Sequence, residues 1–182
     1  MTALLGRLRR AARDDRGLMV TEAAIVFPML VLFLFASYTY YDAYRTRTMV
    51  TKASYVVGDL MSRETTIPTA ADLAGYRDVV AFLTGTPAGD TQVRITEIAQ
   101  ADVGGSAQPI VLWSDATGDL PDLDTDALSP IAARIPPLSG NERMTLFEAF
   151  TTYTPPFAIG IETFTMRAFV PTRRRFWRPT AP

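Results

Sequence analysis

The feature that most limits what this chain can fold into is a stretch without charge. From Ala23 to Tyr41, nineteen residues, no side chain is ionised, and Glu22 and Asp42 bound the run. As a helix, nineteen residues extend roughly 28 Å, about the hydrocarbon thickness of a bilayer. The centre of the run, from Ile25 to Phe35, is strongly apolar: Val26, Phe27, Met29, Leu30, Val31, Leu32, Phe33 and Leu34 fill it with Pro28. A helix buried in a soluble core needs an apolar stripe, not apolar residues on every face, so the run reads as a membrane span. Tyr38, Tyr40, Tyr41 and Tyr44 stand behind it and fit an aromatic belt at the far interface. Pro28 lies early in the span, where it removes one backbone hydrogen bond and kinks or softens the helix.

Charge is segregated around this span. Residues 1–17 hold five arginines (Arg7, Arg9, Arg10, Arg13, Arg16) against Asp14 and Asp15, a net +3. Arg45, Arg47 and Lys52 follow the span. The basic excess before it favours an N-terminus in the cytoplasm and the rest of the chain outside. By blocks the formal charge is +3 for residues 1–17, 0 for 18–47, −8 for 48–172 and +4 for 173–182, which cancel to the overall −1. A near-neutral total argues against a dedicated nucleic-acid binder.

Composition narrows the chemistry. The chain has no Cys and no His. Thiol nucleophiles, disulfides, His-based triads and the usual zinc sites are excluded together. Ser62, Ser106, Ser114, Ser129 and Ser139 have no His to activate them, and Lys52, the only Lys, has only Ser54 nearby. No catalytic constellation emerges. Asp122, Asp124 and Asp126 have the first three spacings of a calcium loop, but Ala127 stands where Gly is needed and Ala133 where a bidentate Glu is needed. A solvated acidic loop is the better reading, and no metal site is expected.

Helical spacing continues past the span. Met49, Ala53, Val56, Val57 and Leu60 recur with polar residues between them, and Thr65, Thr66 and Pro68 close the pattern. The expectation is one helix over 18–64, roughly 70 Å long, with its membrane part at about 23–41. Residues 65–172 then read as an extracytoplasmic α+β domain. A short helix is expected from Ala71 to Thr84, with Leu73, Tyr76, Val79, Val80 and Leu83 on one face and Gly85 just after. Gln92–Ile98 alternates, with Val93 and Ile95, and Glu97 at the end, on one face. It pairs with Pro109–Trp113 through a turn at Gly104-Gly105. Met144–Thr154 and Glu162–Val170 form a second hairpin across Pro155, Pro156 and Gly160. This predicts an antiparallel sheet of about four strands. Residues 114–142, rich in Asp and Pro, are expected to be a long irregular loop with a short helix near Leu128–Arg134. The end, residues 173–182, is a basic aromatic tail with Arg173, Arg174, Arg175, Phe176, Trp177 and Arg178. It could meet lipid headgroups or an acidic partner, or serve only as a solubilising terminus.

Glu22 is the residue that stands out. A carboxylate at the bilayer edge costs on the order of 2–3 kcal/mol on insertion scales, so it is often functional. The plainer alternative places it in the headgroup region or at the N-cap of the spanning helix, where the dipole favours an anion. Its surroundings decide. An arginine-rich leader, a Gly, four residues, a Glu and an apolar run together resemble the class III signal of type IV pilins and pseudopilins. A tighter resemblance is to the TadE-like pilus assembly proteins of the tight-adherence (Tad/Flp) system. Asp14-Asp15-Arg16-Gly17 leads, Glu22 follows, and Pro28 comes six residues later. Ala23 stands where the Flp pilins usually carry Tyr, and the chain is far longer than a major Flp pilin, which points to a minor pseudopilin. The specific resemblance covers about residues 7–45.

The resemblance implies a cut by a prepilin peptidase between Gly17 and Leu18. Glu22 then becomes the fifth residue of the mature chain, and the new amine on Leu18 lies one helical turn away on the same face. In low dielectric an amine and a carboxylate attract strongly, and each lowers the other's burial cost. In assembled pilins this Glu meets the terminal amine of a neighbour and sets the axial register. The implied partners are the inner membrane, the peptidase, other pilin or pseudopilin subunits and the Tad assembly machinery. No cofactor, nucleic acid or small-molecule substrate is implied. Two other readings stay open: an uncut single-pass protein with a periplasmic binding domain, and a secreted protein with a conventional signal. Leu34-Phe35-Ala36 disfavours the second by its large −3 residue.

Overall fold

The computed structural model describes residues 15–103, 106–138 and 142–175. Helix α1 runs unbroken from Asp15 to Arg63. Helix α2 covers Ala70–Thr84, followed by a 3-10 turn at Ala88–Asp90. Four strands follow: β1, Thr91–Val103; β2, Ser106–Ala116; β3, Arg143–Tyr153; and β4, Phe164–Arg173. A 3-10 helix at Asp126–Arg134 lies between β2 and β3. The fold is α+β, with one long apolar N-terminal helix and one antiparallel sheet of order β2-β1-β3-β4. The chain divides into two units: residues 15–42 with 155–162, and residues 43–154 with 163–175.

In the second unit one face of the sheet is covered by helices. Val50, Ala53, Val57 and Met61 of α1 and Leu73 and Val80 of α2 pack on Val93, Ile95, Phe147, Ala149, Ala168 and Val170. The buried stripe of α1 is rotated from the expected one: Val56 and Leu60 are exposed while Val50 and Met61 are buried. Gly58 shows why this face wins. A Cβ there would lie 3.0 Å from Thr172 Oγ1 and 3.2 Å from Val170 Cγ1. The missing side chain lets the helix approach β4 closely, which offsets the helix-propensity cost of a mid-helix Gly.

Helix α2 is closed at both ends by local chemistry. Thr69 N–H donates to Asp72 Oδ2 at 2.8 Å, and Asp72 N–H donates back to Thr69 Oγ1 at 3.3 Å. This reciprocal capping box satisfies two orphan donors. The Thr69 backbone N–H, then its hydroxyl, hold the Asp72 carboxyl below its ordinary value. Gly85 ends the helix at φ 70°, and Thr86 N–H donates to Ala81 O at 3.1 Å.

The strands are longer than alternation suggests. β2 begins at Ser106, paired with Val103, so Ala107, Gln108 and Pro109 are carried into the ladder by the register. The tip at residues 104–105, where a Gly-Gly turn is expected, lies outside the described residues. β4 starts at Phe164 rather than Glu162 because it pairs from Tyr153, and Pro155 and Pro156 stop β3 there. β3 pairs with β1 and not with β2, so the connection between β2 and β3 must carry the chain from one edge of the hairpin to the far side of β1. Its residues 117–138 cover the second sheet face. Leu123, Leu128, Ile131 and Leu138 pack on Ile98, Met144 and Leu146.

Candidate functional site

In the first unit most of the apolar part of α1 is exposed. Ile25, Phe27, Leu30 and Phe33 are each between 59% and 71% exposed, and none of the most apolar eighteen-residue window is buried. Among the described residues this is one helix long and apolar enough to cross a membrane. Water would penalise that surface by about 25 cal/mol per Å². Its polar groups are handled internally. The hydroxyl of Thr21 donates to Gly17 O at 3.1 Å and that of Thr39 to Phe35 O at 2.9 Å, the i−4 bonding that spares a hydroxyl an outside partner.

Glu22 is exposed. The helix is already formed at Asp15, so Glu22 lies in its third turn and is not an N-cap. The dipole effect fades within the first turn, which removes the capping reading. Gly17 and Leu18 are also helical, one turn before Thr21 and Glu22. Helix α1 runs on through Pro28, whose ring nitrogen leaves the Ala24 carbonyl without its usual donor. Of the tyrosines, Tyr38, Tyr40, Tyr41 and Tyr44 are all more than half exposed. Tyr38 also meets Phe157 edge-on, centroids 6.1 Å apart, and Phe35 stacks on the same ring at 4.6 Å.

The second unit holds two buried carboxylates, Glu97, which alternation placed on the face of Val93 and Ile95, and Glu148, which the sequence reading missed. Glu148, on β3, is fully buried on the face covered by residues 117–138. Arg94 reaches it from β1, Nε to Oε2 at 2.8 Å, and Arg167 from β4, Nε to Oε1 at 2.9 Å. Both guanidinium groups also sit over the Phe150 ring, at 5.6 and 5.5 Å. Glu97 is buried on the helix-covered face. It accepts from the Trp113 indole at 2.5 Å and pairs with Arg143 at 3.8 Å and Arg174 at 3.6 Å.

The described part of the basic tail is engaged inside the protein. Arg173 pairs with Glu142 at 3.0 Å, Arg174 with Glu97, and Arg175 with Asp59 at 3.0 Å. Phe176, Trp177 and Arg178, like residues 1–14 of the leader, lie outside the described residues. In the acidic segment, Asp122, Asp124 and Asp126 are exposed. Asp124 Oδ1 accepts from Ala127 N–H at 2.8 Å, a local turn contact. Among the described residues no three carboxylates converge on a site that could hold a metal ion.

Comparison of the chain with protein-family models, with curated proteins and with solved structures finds no match.

Proposed function

We propose that the chain is a membrane-inserted, pilin-like assembly protein, a minor pseudopilin of the TadE-like kind that aids pilus biogenesis and adhesion. Its N-terminus lies in the cytoplasm and its sheet domain in the periplasm. A prepilin peptidase cuts between Gly17 and Leu18, and Glu22 then sets register against the terminal amine of a neighbouring subunit. The observation that carries the reading is the Gly17–Glu22 spacing at the mouth of a helix whose most apolar window has no buried residue among the described residues. Such a surface requires lipid or other helices around it. Once the helix leaves the bilayer for a fibre, the same side chains serve as the packing surface between subunits.

The N-terminal residue of the mature protein, read by intact mass and by the N-terminal peptide, tests this. A chain beginning at Leu18 is expected. A chain beginning at Met1 or Thr2 overturns processing and leaves a single-pass protein with a periplasmic partner-binding domain. A start near Ser37 overturns the membrane-anchored reading altogether.

A further inference from the structure

The connection between β3 and β4 has an unusual composition. Residues 155–161 are Pro, Pro, Phe, Ala, Ile, Gly and Ile, with no charged or polar side chain, between Thr154 and Glu162. Hairpin tips are ordinarily polar. Here Pro156 and Ala158 are exposed and Phe157 keeps 38% of its surface open, so the tip presents apolar surface outward.

The tip also has a defined place along α1. Residues 155–162 form one compact unit with residues 15–42. Phe157 stacks on Phe35, centroids 4.6 Å apart and planes inclined by 22°. Gly160, at φ 75°, lies so near Tyr40 that an added Cβ would be 3.3 Å from its hydroxyl oxygen. Phe35 belongs to the uncharged run and precedes Asp42 by seven residues, about 10 Å along a helix. The ring of Phe157 is therefore level with a residue well inside the uncharged run, beside tyrosines suited to the headgroup boundary.

Backbone chemistry agrees. Irregular backbone in a low-dielectric layer must hide its donors. Pro155 and Pro156 have none, and the N–H of Ile159 donates to the carbonyl of Phe157 at 2.8 Å. Three of the seven residues thus offer no free amide to be desolvated.

From this we infer that residues 155–161 form a second membrane contact, an interfacial anchor seated in the headgroup and upper acyl region beside α1, with Phe157 and Ala158 facing phospholipid. The inference rests on the membrane-inserted reading above. The occupant is a lipid surface because the tip is continuous with the apolar run through Phe35 and carries no polar group to recognise a partner. The anchor fixes the rotation of α1 about its own axis, since only one helix face can hold Phe157 at the surface.

The absence of Cys makes the test direct. Full-length Ala158→Cys, Leu32→Cys and Ser129→Cys are each labelled with an environment-sensitive fluorophore. They are reconstituted into phosphatidylcholine–phosphatidylglycerol vesicles containing lipids with a nitroxide near the headgroup or near the chain end. The expected result is quenching of the Ala158→Cys label chiefly by the shallow nitroxide, by roughly twofold or more over the deep one, in keeping with burial about 5–10 Å into the boundary. The Leu32→Cys label is quenched chiefly by the deep nitroxide, and the Ser129→Cys label by neither. Quenching at Leu32→Cys with none at Ala158→Cys overturns the anchor and spares the membrane reading of α1. No quenching at either overturns both. A blue shift at Ala158→Cys that follows the protein-to-lipid ratio, without nitroxide quenching, overturns the anchor in favour of a second copy of the chain.

Discussion

Replacing Glu148 with Leu should strongly destabilise the sheet domain. Arg94 and Glu148 face each other across β1 and β3, with side-chain exposures of 8% and 0%. With charge centres about 4 Å apart and an effective dielectric of about 20, their attraction is about 4 kcal/mol. Removing each ion from water costs several kcal/mol, so the intact cluster is close to balance. Glu148→Leu removes the attraction and leaves the desolvated Arg94 guanidinium. Arg167, 37% exposed, can turn to solvent. Arg94 keeps its bond to the Pro121 carbonyl at 2.9 Å and its place over Phe150, which places the loss near the lower end of the ~3–5 kcal/mol typical of a broken buried pair. Denaturant unfolding of the full chain carrying Trp177→Phe, in detergent micelles and followed by Trp113 fluorescence, measures it. Arg94→Met/Glu148→Leu removes both charges and should return to within about 1 kcal/mol of the parent. A single variant that loses less than about 1 kcal/mol, or a double variant as unstable as the single, would refute the reasoning.

Gly58→Leu should destabilise the same domain by about 1–3 kcal/mol, because even its Cβ would crowd Thr172 and Val170. Gly75→Ala, also helical but with open space around it, should instead stabilise by about 0.5–1 kcal/mol, and equal effects at the two sites in denaturant melts would contradict the close-approach argument. The capping box should be acid-sensitive. Because the folded carboxyl of Asp72 titrates below its ordinary 3.8, its stabilisation is present above that value and is lost as pH falls through the lower folded one. Asp72→Asn should lack this component, so the gap between parent and variant stabilities should close as pH falls through the folded value, and a gap that stays constant as the parent's Asp72 is protonated would sink the assignment. Glu22→Ala should leave cleavage after Gly17 intact while impairing pilus assembly, and normal piliation by electron microscopy would remove the register role.

What could be read from the chain alone was whatever local patterning determines. The uncharged run, the Gly and Pro punctuation, the alternation of β1 and the Thr and aromatic content of 144–154 were enough for the long helix, both hairpins and a four-stranded sheet. The face of α1 was less legible, because Met49, Val50, Val56, Val57, Leu60 and Met61 supply apolar candidates on two adjacent stripes. Only packing against β4 chooses between them, and Gly58 was the local clue. Residues 114–142 read as a long irregular loop with a short helix near Leu128–Arg134, because Leu123, Leu128, Ile131 and Leu138 together keep no single period among Asp and Pro. Its role as a second layer follows from strand order, which no local pattern encodes. Glu148 and Arg94 lie 54 residues apart, and their pairing depends on β1–β3 register in the same way.

The candidate site divides along the same line. Gly17, Glu22, Pro28 and the tyrosines fall within one helix, so their spacing is fixed by the chain itself. The association of Phe157 with Phe35 is not local, and the tip sequence gave only its missing polarity as a signal. As a block of positive charge the tail could meet lipid headgroups or an acidic partner, or serve as a solubilising terminus. In the fold, Arg173, Arg174 and Arg175 each meet a carboxylate of the acidic domain, and Arg175 N–H also donates to Ser62 O at 2.9 Å. These arginines act as internal counter-charge that ties the end of β4 to α1. If the proposed anchor holds, the affinity of the apolar run of α1 and of the tip at 155–161 for lipid comes from desolvation of apolar side chains rather than from Coulombic attraction.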